Sequence, residues 1–408
     1  MLHIYLYIIL FSLITTVVSF AYYLTNVLYL LKRNETVIES NDTVESVTIV
    51  VPVYNEKVDT FTKVIESIRS QGTSFIVVGD SSLEPYKTIT ENNGGKFVST
   101  EKRVGKRGAM SLGIKYVDTK FVMFVDSDTT LPKNAVKKML GCFKENTGGV
   151  GANISITKNS KGVSYSAEFM ERAREVILKA MSSQGGNIMV IDGKCAIYRT
   201  EIVKPFMLSD EFTDFRVMGR QSIMGDDQQI TAHIIKSGYK ATKCYDVTAQ
   251  TDPPENFEQF ARQSLRWTRS FYYFFFRNLR DGTTRRAGLF YFFESAITFA
   301  LPLAIILIGI FRFSFELHFI AMHPAILRSN FFSFILFSLI SYGSLHHTPF
   351  ISYLSYVGTA IFGTAVASSV RNERLKTMAY GGIALAIMLF ISFYGFLTCW
   401  KQSNWLTR

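Results

Sequence analysis

The sequence predicts an open α/β sheet domain held between membrane-spanning and interfacial helices. Three observations point there. Apolar residues concentrate in residues 2–31 and 287–400, leaving a middle of ordinary globular composition. Within that middle, short apolar β-branched runs alternate with helical patterns, as in a parallel sheet with crossover helices. A helical pattern rich in arginine and aromatic residues, 257–276, marks where the polar middle meets the apolar C-terminal third.

The chain has 408 residues, 48% of them hydrophobic and 35 of them Phe, enough for one sizeable domain and several membrane spans. A net charge of +11 suits contact with anionic lipid head groups or an anionic substrate such as a nucleotide sugar. It also suits a plain basic cytosolic surface. The basic residues form no long run and no RNA- or DNA-reading motif occurs, so nucleic acid is not an expected partner. The four cysteines are far apart and form no CxxC pair, which implies neither a disulfide framework nor a zinc site and fits a reducing cytosol.

Residues 1–31 are expected to form an N-terminal transmembrane helix. The stretch 2–31 is uncharged apart from His3, and Lys32 and Arg33 follow at once. A cleavable signal peptide has the reverse charge order, and the positive-inside rule puts residue 32 onward in the cytosol. At the other end, Arg277, Arg280, Arg285 and Arg286 mark a second cytosolic margin. Residues 287–313 then read as a span with Pro302 as a kink, followed by weaker segments near 330–343, 349–370 and 377–400. Two of these must be interfacial if both the Arg371–Lys376 cluster and the C-terminus are to stay cytosolic.

The middle domain, residues 32–254, begins with Ser46-Val-Thr-Ile-Val-Val-Pro-Val53, a run expected of a buried parallel strand. Further strands are expected at 74–80 and 120–128, with helices after residue 56, near 103–117 and near 132–145. In open α/β sheets ligands bind beyond the carboxyl ends of strands. Asn55, Asp80, Asp126 and Asp128 all fall there.

Two carboxylates one residue apart at a strand end can hold a hard divalent cation, which helps a diphosphate leave. A turn with Asx caps would explain Asp126-Ser127-Asp128 alone. Lys102, Arg103, Lys106 and Arg107 around Gly105 suit a phosphate site at a helix start, or simply a solvated basic helix end. Gly225-Asp226-Asp227 opens a helix closed by Gly238. One aspartate serves as a cap, and the second is left to act as general base towards an acceptor hydroxyl. In the amphipathic stretch 255–286, Gln263, Arg266 and Trp267 sit at i, i+3 and i+4 and share a face, with Arg262 and Arg269 on others. A membrane-surface helix accounts for the aromatics but not for this amide, cation and indole together.

The chain resembles the processive family 2 membrane glycosyltransferases from Val51-Pro-Val-Tyr-Asn-Glu56 through Asp-Ser-Asp and Gly-Asp-Asp to Gln263-Ser-Leu-Arg-Trp267. Within them it is most similar to hyaluronan synthases, single-enzyme capsule synthases and NodC-type chitin-oligosaccharide synthases. The resemblance implies a GT-A fold and inverting transfer. Tyr54, Glu56 and Asp80 would hold uridine, with Asp126 near the ribose. Asp128, with Asp126, would hold Mg²⁺ or Mn²⁺, and Lys106 and Arg107 would add charge at the diphosphate. Asp227, beside Asp226, would be the base; Gln263 and Arg266 would contact pyrophosphate, and Trp267 would stack under the acceptor sugar. The helices of 287–408 would form a channel for the growing polysaccharide across the cell membrane.

Some positions depart from that pattern. Gly79 stands where many relatives carry a first aspartate, and Trp405-Leu-Thr-Arg408 and Cys195 lean to the chitin-oligosaccharide type. Gly-Asp-Asp and Thr251-Asp-Pro lean to hyaluronan and capsule synthases. The expectation from the sequence is therefore a hyaluronan synthase using UDP-GlcNAc and UDP-GlcA. A chitin-type enzyme with UDP-GlcNAc alone and a capsule synthase with UDP-glucose are the alternatives. More remote are a non-processive lipid-linked sugar transferase and a membrane protein that merely binds nucleotides.

Overall fold

The computed structural model describes residues 2–32, 41–322 and 349–403. The expected segment 330–343 and the Trp405–Arg408 terminus lie outside these. The strands are β1 (Val47–Val53), β2 (Ser74–Gly79), β3 (Lys96–Ser99), β4 (Phe121–Val125), β5 (Thr129–Thr130), β6 (Thr147–Ile156), β7 (Cys195–Arg199), β8 (Arg216–Val217), β9 (Arg220–Gln221) and β10 (Lys240–Thr251). The helices of the domain are α2 (Val58–Arg69), α3 (Tyr86–Asn92), α4 (Gly105–Ile114), α5 (Ala135–Leu140), α6 (Gly162–Ser183), α7 (Thr200–Met207), α8 (Asp210–Thr213) and α9 (Asp226–Lys236). Around them lie α1 (Leu2–Leu31), α10 (Phe257–Arg280), α11 (Thr283–Ala287), α12 (Leu289–Met322), α13 (Pro349–Ser369) and α14 (Arg374–Phe396).

The main sheet has the order β3-β2-β1-β4-β7-β6-β10-β5, and β8 and β9 form a separate ribbon. β1 pairs in parallel with β2 and β4, whereas β7 runs antiparallel between β4 and β6. Alternate residues of β1 serve opposite faces, as the period of two requires. Ile49 and Val51 pack with Phe61, Ile65 and Ile68 of α2, while Val50 packs with Met110 and Ile114 of α4.

β1, β2 and β4 coincide with the three strands expected from their apolar runs. β6, which opens with the glycine-rich Thr147-Gly-Gly-Val-Gly151, was not among the expected strands. Its glycines are there for close approach: a Cβ on Gly149 would come within 2.7 Å of both Ile191 Cδ1 and Tyr198 Cδ1. The helix expected at 132–145 is confined to the six residues of α5.

Among the described residues, three helical stretches are long and apolar enough to cross a bilayer: 10–31 of α1, 289–311 of α12, and α14. Length does not decide how α14 sits. Near its start Glu373 accepts from Tyr165 Oη at 2.9 Å, and the Tyr380 carbonyl accepts from Ser166 Oγ at 2.9 Å. Just past its end Thr398 Oγ1 accepts from Arg269 Nε at 2.9 Å, and the Gln402 carbonyl accepts from Ile223 N at 3.2 Å. Both ends of α14 thus rest on the α/β domain and α10. Arg269, expected on a face apart from Gln263, Arg266 and Trp267, is buried beside this contact.

Candidate active site

Six separated segments converge on one cavity of about 1880 Å³. Tyr54 and Glu56 come from the end of β1, Asp80 from β2, and Asp126 and Asp128 from β4. Asp226 and Asp227 come from the start of α9, and Gln263, Arg266 and Trp267 from one face of α10. Lys106 and Arg107 of α4 line it as well. The volume exceeds that of an ordinary single-ligand pocket, roughly 300–1000 Å³. It has room for two reactants.

At the strand ends the polar groups hold one another. The Tyr54 ring lies 3.9 Å from the Arg103 guanidinium. Glu56 accepts from Ser127 Oγ at 3.1 Å, and Asp128 accepts from Thr251 Oγ1 at 3.4 Å. Lys106 Nζ stands 2.5 Å from Asp126 Oδ1. Burial opposes the ammonium charge, but Asp126, Asp226 and Asp227 outweigh it and raise the Lys106 pKa above the ordinary lysine value.

Two expected ligand contacts look different in three dimensions. Asp80 accepts from Val104 N at 2.7 Å and from Gly105 N at 2.9 Å, so it caps α4 with both oxygens. The amides expected to receive a phosphate are therefore already occupied. Arg107 is buried and donates to the carbonyls of Phe212 and Met224, each at 3.0 Å, and to the side chain of Gln229. Its fork is committed to the loop before Gly-Asp-Asp and to α9, in place of the expected diphosphate contact.

Gly225 sets the aspartate pair with φ +72, and a Cβ there would lie 2.3 Å from Phe274 Cε2. Asp227 accepts from Gln228 N at 2.8 Å. Burial, with the charges of Asp226 and Asp192 added, raises its pKa to about 7. A carboxylate so tuned is suited to take a proton near neutrality.

Several cavity residues escaped the sequence reading: Glu171 and Arg174 of α6, and Asp192 and Lys194 before β7. Lys194 Nζ lies 4.9 Å from the centre of the Trp267 ring and 3.2 Å from Asp192 Oδ2. A signal existed. Because β7 is antiparallel to β4, with Val125 opposite Cys195, the residues just before β7 lie at the same sheet edge as the end of β4. Recognising β7 as a reversed strand would have exposed them.

Residues 48–206 match the family described as Glycosyl transferase family 2, and this region with its sheet has the GT-A fold. The chain is 28% identical over 240 residues to an N-acetylglucosaminyltransferase of Azorhizobium caulinodans, covering 55% of this chain and 59% of that protein. It is 28% identical over 243 residues to one of Bradyrhizobium diazoefficiens, covering 56% and 49%. The match thus spans about half the length of these relatives. A mannosyltransferase of Pyrobaculum calidifontis, solved with GDP-mannose and Mn²⁺, superposes with a TM-score of 0.56 at 17% identity over 88% of this chain and 98% of that one. That likeness establishes the fold.

Proposed function

We propose that this chain, whose residues 48–206 form a family 2 glycosyltransferase domain, is a membrane transferase that adds N-acetylglucosamine from UDP-GlcNAc to a growing β-linked chain. One observation carries the reading. The cavity that joins Lys106, Asp227 and Trp267 continues between the helices, past Tyr22 of α1, Thr298 and Pro302 of α12, Phe362 of α13 and Met388 of α14. A soluble single-sugar transferase needs no such extension. A polymer leaving through the membrane does. The names of the rhizobial relatives support N-acetylglucosamine as the sugar.

In this reading Tyr54, Glu56 and Asp126 hold the nucleoside, while Asp80 shapes the Val104-Gly105 turn beneath it. Lys106, Gln263 and Arg266 meet the diphosphate. The acceptor sugar stacks on Trp267, and Asp227, with Asp226 beside it, takes the proton of its attacking hydroxyl. Displacement from the face opposite the leaving group inverts the anomeric centre.

A divalent cation fits the donor set. Asp126 and Asp128 offer hard carboxylate oxygens, and among the described residues no cluster of three or more His, Cys, Asp or Glu forms a closed metal cage. Two protein carboxylates leave coordination positions for water and phosphate oxygens, as Mg²⁺ and Mn²⁺ sites commonly do. Bound there, the ion would neutralise the leaving diphosphate.

The basic margins at Lys32, Arg33, Arg277, Arg280, Arg285 and Arg286 support a cytosolic α/β domain in a multi-pass cell-membrane protein. With both its ends on that domain, α14 lies along the membrane surface and keeps residues 398–402 on the cytosolic side. α1, α12 and α13 then line the exit.

Gly225-Asp-Asp and Thr251-Asp-Pro favour a second reading, hyaluronan synthesis with UDP-GlcA as a further donor. The test offers purified protein, in lipid with Mn²⁺ or Mg²⁺, each labelled donor alone and both together. Chitinase-sensitive polymer from UDP-GlcNAc alone is the expected result. Hyaluronidase-sensitive product that needs both donors would establish the second reading, and polymer from UDP-glucose alone would point to a capsule synthase. A single-sugar lipid would overturn both polymerase readings.

A further inference from the structure

A chain of buried charges runs from helix α6 to the tryptophan of the acceptor side. Arg174 bridges Glu171, at 2.5 Å, and Asp192. Asp192 in turn accepts from Lys194 N at 3.0 Å and from Lys194 Nζ at 3.2 Å. Lys194 ends the chain with its ammonium over the Trp267 ring. Behind it, Lys243 pairs with Glu175. Glu171, Glu175 and Asp192 are each buried.

The short loop 192–194 also borders the cavity. Its Gly193 carbonyl accepts from Lys106 Nζ at 3.5 Å, and its Lys194 carbonyl accepts from Asp126 N at 3.0 Å. One side of the loop therefore borders the residues assigned to the donor, and the other borders Trp267. Lys194 carries its ammonium over the Trp267 ring.

Buried ion pairs contribute little to net stability, because desolvation offsets their attraction, and they are costly when one partner is lost. What such a network does well is hold one group in one orientation. An ammonium carries three donors and no acceptor. Asp192 engages Lys194 from one side, while the side chain still borders the cavity.

We propose that Lys194 determines acceptor specificity by donating a hydrogen bond to the terminal sugar stacked on Trp267, with Asp192, Arg174 and Glu171 as its positioning residues. This rests on the transferase reading above. The ligand class follows from charge. Lys194 and Arg174 are matched by Asp192 and Glu171, so the subsite has no surplus cation for a carboxylate. It fits the hydroxyl and acetamido oxygens of a neutral N-acetylhexosamine and disfavours a terminal uronate.

The test measures equilibrium binding of a labelled N-acetylglucosamine oligosaccharide to the full-length protein in lipid, for wild type, Lys194→Met and Lys194→Arg. UDP affinity serves as the folding control. Lys194→Met is expected to weaken oligosaccharide binding about tenfold, and Lys194→Arg to retain most of it, as the loss of one buried hydrogen bond to a ligand implies. On the wild type, an otherwise identical oligosaccharide ending in glucuronate is expected to bind about tenfold more weakly, and Asp192→Asn to narrow that gap. Should Lys194→Met lose UDP binding as well, Lys194→Gln is read on the same terms.

Unchanged oligosaccharide affinity in the folded Met or Gln variant would overturn the proposal. So would equal affinity of the wild type for both termini. UDP release from UDP-GlcNAc by the wild type tests the underlying reading separately. Binding that depends on Lys194 without any release would sink the transferase reading and leave the subsite standing.

Discussion

Lys106 and Asp126 meet at 2.5 Å across the head of the cavity, although one opens helix α4 and the other ends strand β4. This contact pairs a cation with a carboxylate expected at the nucleotide. In the proposed function a diphosphate would give Lys106 a stronger anionic partner and release Asp126 towards ribose or metal.

Lys106→Met should therefore raise the KM for UDP-sugar by tenfold or more, in line with loss of a charge-assisted contact of roughly 1.5–3 kcal/mol. Steady-state kinetics at varied donor concentration checks this. A donor KM that stays within twofold of wild type would remove Lys106 from the diphosphate.

Asp227→Asn should abolish polymer synthesis while UDP still binds. In the wild type the rate should climb with pH through about 7, as the base ionises. The stability effect has the opposite sign. Because the folded state binds this proton more tightly than the unfolded one, the group's contribution to stability is present at acid pH and lost as pH rises towards 7. Asp227→Asn should accordingly melt at a higher temperature than wild type at pH 8. Normal polymer yield in the variant would end the assignment.

Trp267→Ala should block elongation with little change in UDP affinity, since it removes the aromatic stacking face. Product sizing by gel separates this from a donor defect. Chains of ordinary length would mean that the acceptor stacks elsewhere.

Arg107→Leu should lower stability by about 3 kcal/mol, because three buried acceptors on Phe212, Met224 and Gln229 lose their donor. Any loss of activity should follow the loss of fold. Thermal melting beside UDP titration tests this. A variant that melts like wild type but binds UDP tenfold more weakly would restore the diphosphate contact expected from sequence.

The chemistry-bearing strand ends were legible because parallel strands leave strong local marks. The apolar runs ending at Val53, Gly79 and Val125 each hand over to a polar residue at the ligand-binding edge. The spacing of Gln263, Arg266 and Trp267 likewise implied one helical face, since periodicity is a local property. Other features left no such mark. β6 is glycine-rich because Ile191 and Tyr198 crowd it from outside the strand. The antiparallel direction of β7 depends on the long return through α6. Helix α14 has the composition of a span, yet its partners at both ends belong to the α/β domain and α10.

Local sequence was enough for the architecture: an α/β sheet, an amphipathic helix carrying Gln-x-x-Arg-Trp, and flanking apolar helices. These follow from period, composition and residue type within short windows. Tertiary structure alone decided which polar groups are taken up by other parts of the chain. Asp80 and Arg107 have the right chemistry but spend it on Val104, Gly105, Phe212, Met224 and Gln229. Lys194 reaches Trp267 only because a reversed strand returns it to that edge. A side chain's residue type states what it can bond. Which of those bonds form depends on partners distant in sequence, and folding brings them together.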